Sequence, residues 1–169
     1  MIGDRLIGYE NRMLEAQDFN DDKKDAGEIG AGHTVTALYE IVPADVDDAD
    51  VPAVDDLRYQ KRTRLSKDAD SGEMLVLKLR YKQPEGDTST LIEFPVTDSG
   101  KPFSQADQDF QFAAGVAAFG MLLRNSPHKG DATFAAVAEI AAGGVKDDDS
   151  GYRKEFLRLV AKAKQLRGE

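Results

Sequence analysis

Two periodicities divide the chain. Up to about residue 100 the apolar positions alternate, and after it they recur at helical spacing. The clearest alternation runs from Glu73 to Lys82. Leu75, Leu77, Leu79 and Tyr81 fall on one face, and Lys78, Arg80 and Lys82 on the other. This predicts a half-buried antiparallel strand. Pro84-Glu85-Gly86-Asp87 is a turn signal, so Thr88 to Val96 is expected to pair back as the hairpin partner. Asp4 to Asn11 reads as a short strand, His33 to Val42 as a second and Leu57 to Leu65 as another. In the second, Val35, Ala37, Tyr39 and Ile41 would share a face.

Beyond Gly100 the spacing becomes that of helices. Ser104 is suited to cap a first helix carrying Phe112, Val116, Phe119 and Leu123, with Pro127 as its stop. That stripe would form core, or would partly pack against a domain outside the chain. A second helix is expected from about Ala132 to Ala142, closed by Gly143-Gly144. A third starts after Asp149 or Ser150, with Tyr152, Phe156, Leu159, Val160, Ala163 and Leu166 as its apolar stripe. Strands first and helices last predict an α+β fold. It would comprise a β-sandwich-like antiparallel region at 1–100 and a three-helix region at 101–169 packed on it. Pro43 to Asp56 holds six aspartates and two prolines and reads as a solvated loop.

Charge and composition narrow the function. A net charge of −9 argues against nucleic acid as a partner, because phosphate neutralisation requires a basic surface. No apolar run approaches the roughly 20 residues of a spanning helix, so no membrane insertion is expected. With no cysteine, the chain has no disulfide, thiolate nucleophile or Cys-based zinc site. The start, Met1-Ile2-Gly3-Asp4-Arg5, is not a signal peptide, and it runs at once into a strand, as a fragment of a longer protein would.

His33 and His128 are the only histidines, and neither has a nucleophile or ligand partner in the sequence around it. The best metal candidate is the stretch Asp18 to Glu28. Asp18, Asn20 and Asp22 occupy positions 1, 3 and 5 of an EF-hand loop and would bind calcium through hard oxygens. The match then breaks, with Lys23 at the glycine position and Ile29 at the bidentate glutamate position. Solvated polar loop and calcium-stabilised binding module both stay open. Asp147-Asp148-Asp149 precedes a helix, where acids are favoured by the dipole. The glycines 27, 30 and 32 lead into a strand rather than a helix, which suits a tight backbone entry and not a phosphate loop. Arg58, Lys61, Arg62, Arg64 and Lys67 form a basic cluster that reads as a solvated strand face. Carboxylates lie in loops and at helix starts, not framing an apolar cleft, so an acid–base hydrolase is not expected and the chain reads as non-catalytic.

Four stretches carry a family resemblance: Arg5 to Arg12, Asp25 to Glu40, Leu77 to Lys82 and Phe112 to Arg124. In this order they resemble the C-terminal region of bacterial proteins that contain a von Willebrand factor type A (VWA) domain. The resemblance implies an upstream VWA domain, an upstream export or lipoprotein signal and hence a cell-envelope location. It supplies no catalytic residues. The Asp-x-Ser-x-Ser metal motif of VWA domains does not occur in this chain. By analogy with coat proteins that flank a VWA domain with a β-sandwich and a helical domain, the expected role is a structural, protein-interaction module. Its partners would be the VWA domain of the same full-length chain and other proteins. An exposed sheet edge or apolar face should then remain.

Overall fold

A computed structural model describes residues 3–8, 14–24, 27–42, 70–146 and 148–168. The element order is β1 (Gly3–Ile7), β2 (Leu38–Val42), β3 (Leu75–Tyr81), β4 (Thr90–Val96), α1 (Gln108–Leu123), α2 (Phe134–Ala142) and α3 (Tyr152–Arg167). Strands precede helices, and the fold is α+β. The chain divides into two compact units, residues 1–35 with 39–100 and residues 36–38 with 101–169. The acidic loop 43–56, the strand Leu57 to Leu65 and the basic cluster 58–67 lie outside the described residues.

In the first unit the described strands pair two by two, β1 with β2 and β3 with β4. Arg5 on β1 bonds the Glu40 carboxylate on β2 through both Nε and Nη2. β3 and β4 form the expected antiparallel hairpin. Leu75 lies opposite Val96, Leu77 opposite Phe94, Leu79 opposite Ile92 and Tyr81 opposite Thr90. Directly opposed residues share a face, so these form one apolar row. The other face carries Lys78 opposite Glu93, ion-paired at 3.0 Å, and Arg80 opposite Leu91.

Two expectations for these strands need correction. β2 starts at Leu38, not His33. The His33 amide instead closes a turn onto the Gly30 carbonyl at 3.0 Å, and Gly32 takes a positive φ of 80°, so the chain is still turning where a strand was expected. The apolar face of the hairpin is not buried either. Leu77, Leu79, Ile92 and Phe94 each stay between 37% and 46% exposed. Alternation dictates which side chains share a face, but burial needs a second layer.

The second unit holds the core. Leu122, Phe134, Val137 and Val160 are buried together, with Phe119, Phe156, Ala118, Ala138 and Ala163 packed against them. Burying side chains of this size contributes about 1.5–3 kcal/mol each. α1 and α2 pack against each other at Gly115. A Cβ there would touch the Ala141 Cβ at 3.4 Å. α1 is capped by Asp107, which accepts from the Asp109 amide at 2.8 Å, rather than by Ser104. Ser104 lies instead within a preceding single turn of 3-10 helix, Phe103–Gln105. α1 ends before Pro127 is reached. Asn125 adopts φ 50°, and the Ser126 and Asn125 amides bond the Met121 and Leu122 carbonyls at 2.9 and 3.1 Å. This is a Schellman stop. Thr133 caps α2 through the Ala136 amide at 3.1 Å.

Candidate functional site

The stretch from Asp18 forms a 3-10 turn, Asp18–Asn20, followed by a turn in which Asp21 Oδ1 accepts from the Lys23 amide at 3.0 Å. It docks on β3 and the β3–β4 turn. Arg80 organises the contact. Its Nη1 donates to Ser89 Oγ at 2.7 Å, its Nη2 to Asn20 Oδ1 at 3.1 Å, and its guanidinium lies over the Phe19 ring, 5.6 Å from the centroid. The Ser89 amide donates to Asp22 Oδ1 at 3.2 Å, and Lys82 Nζ donates to the Asp22 carbonyl. The Ser89 hydroxyl and amide, with Lys82 and Arg80 beyond them, hold the Asp22 carboxyl below its ordinary range, against a smaller opposing desolvation.

Asp18, Asn20 and Asp22 each meet a different partner within the fold. Asp18 faces Lys24 at 3.4 Å, Asn20 faces Arg80, and Asp22 faces Ser89. Among the described residues no group of three or more His, Asp or Glu side chains is placed to hold a metal ion. The groove between this stretch and β3 encloses about 1040 Å³. It is lined by Leu14, Phe19, Ile29, Leu79 and Tyr81, among cations such as Lys78, Arg80 and Lys82 and the acids Asp18, Asp21, Asp22 and Glu28. Arg80 Nε is buried there without a hydrogen-bond partner.

The other residues singled out in the sequence are scattered. The His33 ring sits against Gly30, where a Cβ would meet Nδ1 at 2.9 Å. The His128 amide donates to Ser126 Oγ at 3.3 Å, in the α1–α2 connection. Asp148 does what acids before a helix are expected to do. Its Oδ1 accepts from the Arg153 amide at 3.2 Å and its Oδ2 from the Lys154 amide at 2.9 Å. Burial pushes the Asp148 carboxyl up, but these amides together with the Lys154 charge outweigh that and leave it below its ordinary range. Among the described residues no helix is long and apolar enough to cross a membrane.

What the described residues do present is uncovered apolar surface. The hairpin row Leu77, Leu79, Ile92 and Phe94 is one such surface. Every fully buried hydrophobic residue described belongs to the helical unit, and none to the β unit. Exposed apolar groups on the helices were harder to foresee. Tyr152, Leu159 and Leu166 fall on the apolar stripe of α3, yet all three are exposed. Of the α1 stripe, Phe112 and Phe119 pack while Val116 and Leu123 do not. A helix of three-helix depth buries one side only, and these residues sit on its shoulder.

Comparison with known proteins places these features in a family. Residues 3–166 match the family model described as "Uncharacterized protein YfbK, C-terminal". The chain belongs to this YfbK C-terminal family. It is 37% identical over 156 residues to a protein of Escherichia coli (strain K12) named "Uncharacterized protein YfbK", an alignment covering 92% of this chain and 26% of that protein. The chain thus spans about a quarter of the length of the curated relative it matches. Membership of a C-terminal family agrees with the reading as the C-terminal region of a VWA-domain protein. No solved structure matches the chain.

Proposed function

We propose that this YfbK C-terminal chain is a non-catalytic structural module whose β3–β4 hairpin docks on another part of the full-length protein, the VWA domain. The observation that carries the proposal is the apolar row Leu77, Leu79, Ile92 and Phe94, more than a third exposed in a unit with no fully buried hydrophobic residue among those described. A two-stranded hairpin is marginal by itself and gains stability from a covering layer. Exposed contiguous apolar surface of this kind marks interaction sites. The opposite face already has its partners, in the Lys78–Glu93 pair and the Arg80 network. The separation of the two histidines, one in each unit, supports a role without catalysis. The proposal includes the cell-envelope location that the VWA resemblance implies, which fractionation of cells producing the full-length protein would check.

Phe94→Glu tests the docking. In the isolated chain Phe94 is 46% exposed and meets only Leu77 across the hairpin, so the substitution should cost no more than about 1 kcal/mol. In the full-length protein it would place a charge in a buried contact and cost about 2 kcal/mol or more. An equally small effect in both contexts would refute docking through this face.

A calcium-stabilised reading of the Asp18–Glu28 stretch gives it a different role. There calcium would have to displace Lys24 from Asp18, Arg80 from Asn20 and the Ser89 amide from Asp22.

A further inference from the structure

The β3–β4 hairpin has two edges, and its register tells them apart. In an antiparallel pair, opposed residues alternate between pairs that exchange both N–H···O bonds and pairs that exchange none. Val76 lies opposite Pro95. Proline has no N–H to exchange, so this pair is of the second kind. Counting on by twos, Lys78 with Glu93 and Arg80 with Leu91 are of the second kind as well. Leu77, Leu79 and Tyr81 therefore direct their backbone groups to β4. The N–H and C=O groups of Val76, Lys78 and Arg80 point the other way, off the outer edge of β3. On β4 the outward row is Leu91, Glu93 and Pro95.

The two edges differ in what they offer. Pro95 interrupts the outward row of β4, where it removes a donor, as prolines do on strands that stay unpaired on one side. The outward row of β3 is complete, with a donor and an acceptor at every second residue, roughly 7 Å apart. Among the described residues none bonds the backbone groups of this row. The groove beside the Asp18 stretch lies on the same side of β3. Lys78 to Pro84 line it without a break and from both faces of the strand, while no residue of Thr90–Val96 lines it. The Asp18 stretch and Ile29 form its far wall.

Such a row selects the shape of what meets it. A helix has already bonded its own N–H and C=O groups, and a surface of apolar side chains offers neither. An extended segment brings acceptors and donors at the matching spacing. Its side chains alternate between the two faces of the sheet, and on the face of Leu77 and Leu79 they continue an apolar row. Antiparallel pairing with β3 of a second copy would set Lys78 and Arg80 against the same cations. The rest of the full-length protein is the better source. The aligned chain covers 26% of the YfbK relative, so the larger part of that protein lies outside it. The edge also adjoins the hairpin face for which the same partner is proposed.

We propose that the outer edge of β3 receives an extended strand from the rest of the full-length protein, apolar at every second position, as a third strand of the hairpin sheet. This rests on the reading that the hairpin docks on that protein, and it names the main-chain groups that do so. Hydrogen–deuterium exchange resolved by residue, on the isolated chain and on the full-length protein, tests it. In the isolated chain the Val76, Lys78 and Arg80 amides should exchange faster than those of Leu77 and Leu79, which bond β4. In the full-length protein the same three should slow by roughly a hundredfold or more, as main-chain bonding requires. The Leu91 and Glu93 amides should stay fast in both. Unslowed exchange at Val76, Lys78 and Arg80, or slowing at Leu91 and Glu93 instead, would overturn the proposal. Slow exchange of the three already in the isolated chain would do so too, assigning the edge to a second copy if dilution restores fast exchange and to the chain itself if it does not. Side-chain protection of Leu77 and Phe94 without slowing of the three amides would sink strand addition and leave hairpin docking standing. Slowed amides with those side chains still exposed would do the reverse.

Discussion

Gly144 gives the sharpest test of how the helical unit is packed. It lies buried in the single turn Gly143–Val145 that follows α2. A Cβ built there would stand 2.7 Å from the Phe112 Cβ, 3.1 Å from the Gln108 carbonyl oxygen and 3.3 Å from Phe112 Cδ2. Comfortable carbon–carbon contact is about 3.5–4.0 Å, so Gly144→Ala demands a separation of roughly 1 Å. The atoms in the way are backbone and Cβ of α1, not the free end of a flexible side chain. The displacement would also disturb the Gly144 carbonyl, which accepts from Arg153 Nη1 at 2.6 Å. Overpacking of this kind costs about 1–3 kcal/mol. For a cooperative unit of this size each kcal/mol lowers the melting temperature by about 4–8 °C. Gly143→Ala is the matched control. Gly143 has φ −59° and ψ −30°, with nothing within 4 Å of its would-be Cβ. Alanine there should stabilise by about 0.4–1 kcal/mol, through the unfolded chain. Thermal melts of the whole chain, followed by helical circular dichroism, read both. A wild-type melt for Gly144→Ala, or shifts of the same sign for the two variants, would refute the close approach of α1 to this turn.

Further outcomes follow from the carboxylates and the Asp18 stretch. Asp22 and Asp148 both have folded pKa values below the ordinary 3.8, so each stabilises the fold above that value and loses its effect as pH falls through the lowered one. Asp148→Asn should therefore melt below wild type at pH 7, with the gap closing under pH 3.8; a gap that widens in acid would contradict the sign. Adding millimolar calcium should leave the melting temperature unchanged, because Asn20 and Asp22 face the hairpin's own donors and Asp18 faces Lys24. A rise following RT ln(1 + [Ca]/Kd) would instead support a calcium-stabilised module.

Much of the architecture was legible in local pattern. Alternation at Leu75 to Tyr81, the Pro84–Asp87 turn and the shift of period after Gly100 suffice for the hairpin and the order of strands before helices. Cap chemistry was legible in kind but not in position. Asp107 rather than Ser104 caps α1, because a 3-10 turn occupies Phe103–Gln105. The stop of α1 escaped notice because asparagine in a left-handed conformation leaves a weaker mark than proline. What one chain's periodicity does not reveal is the number of layers. Leu77 and Phe94, or Leu159 and Leu166, look like core by spacing, and only the absence of a described covering element makes them surface. The Asp18, Asn20, Asp22 spacing likewise does not reveal which partner each side chain meets. Spacing brings oxygens near one another in sequence, while Arg80 and Ser89 of the hairpin, and Lys24 of the same loop, draw each oxygen its own way.

Hydroxyl-radical footprinting of the hairpin side chains tests the docking proposal most directly. Leu77, Leu79, Ile92 and Phe94 would be labelled in the isolated chain and in the full-length protein under the same dose. Docking requires strong labelling in the isolated chain and several-fold protection of all four in the full-length protein, with exposed Ile29 labelled equally in both as the internal reference. Equal labelling of the four residues in both would contradict the docking of this face on the rest of the protein.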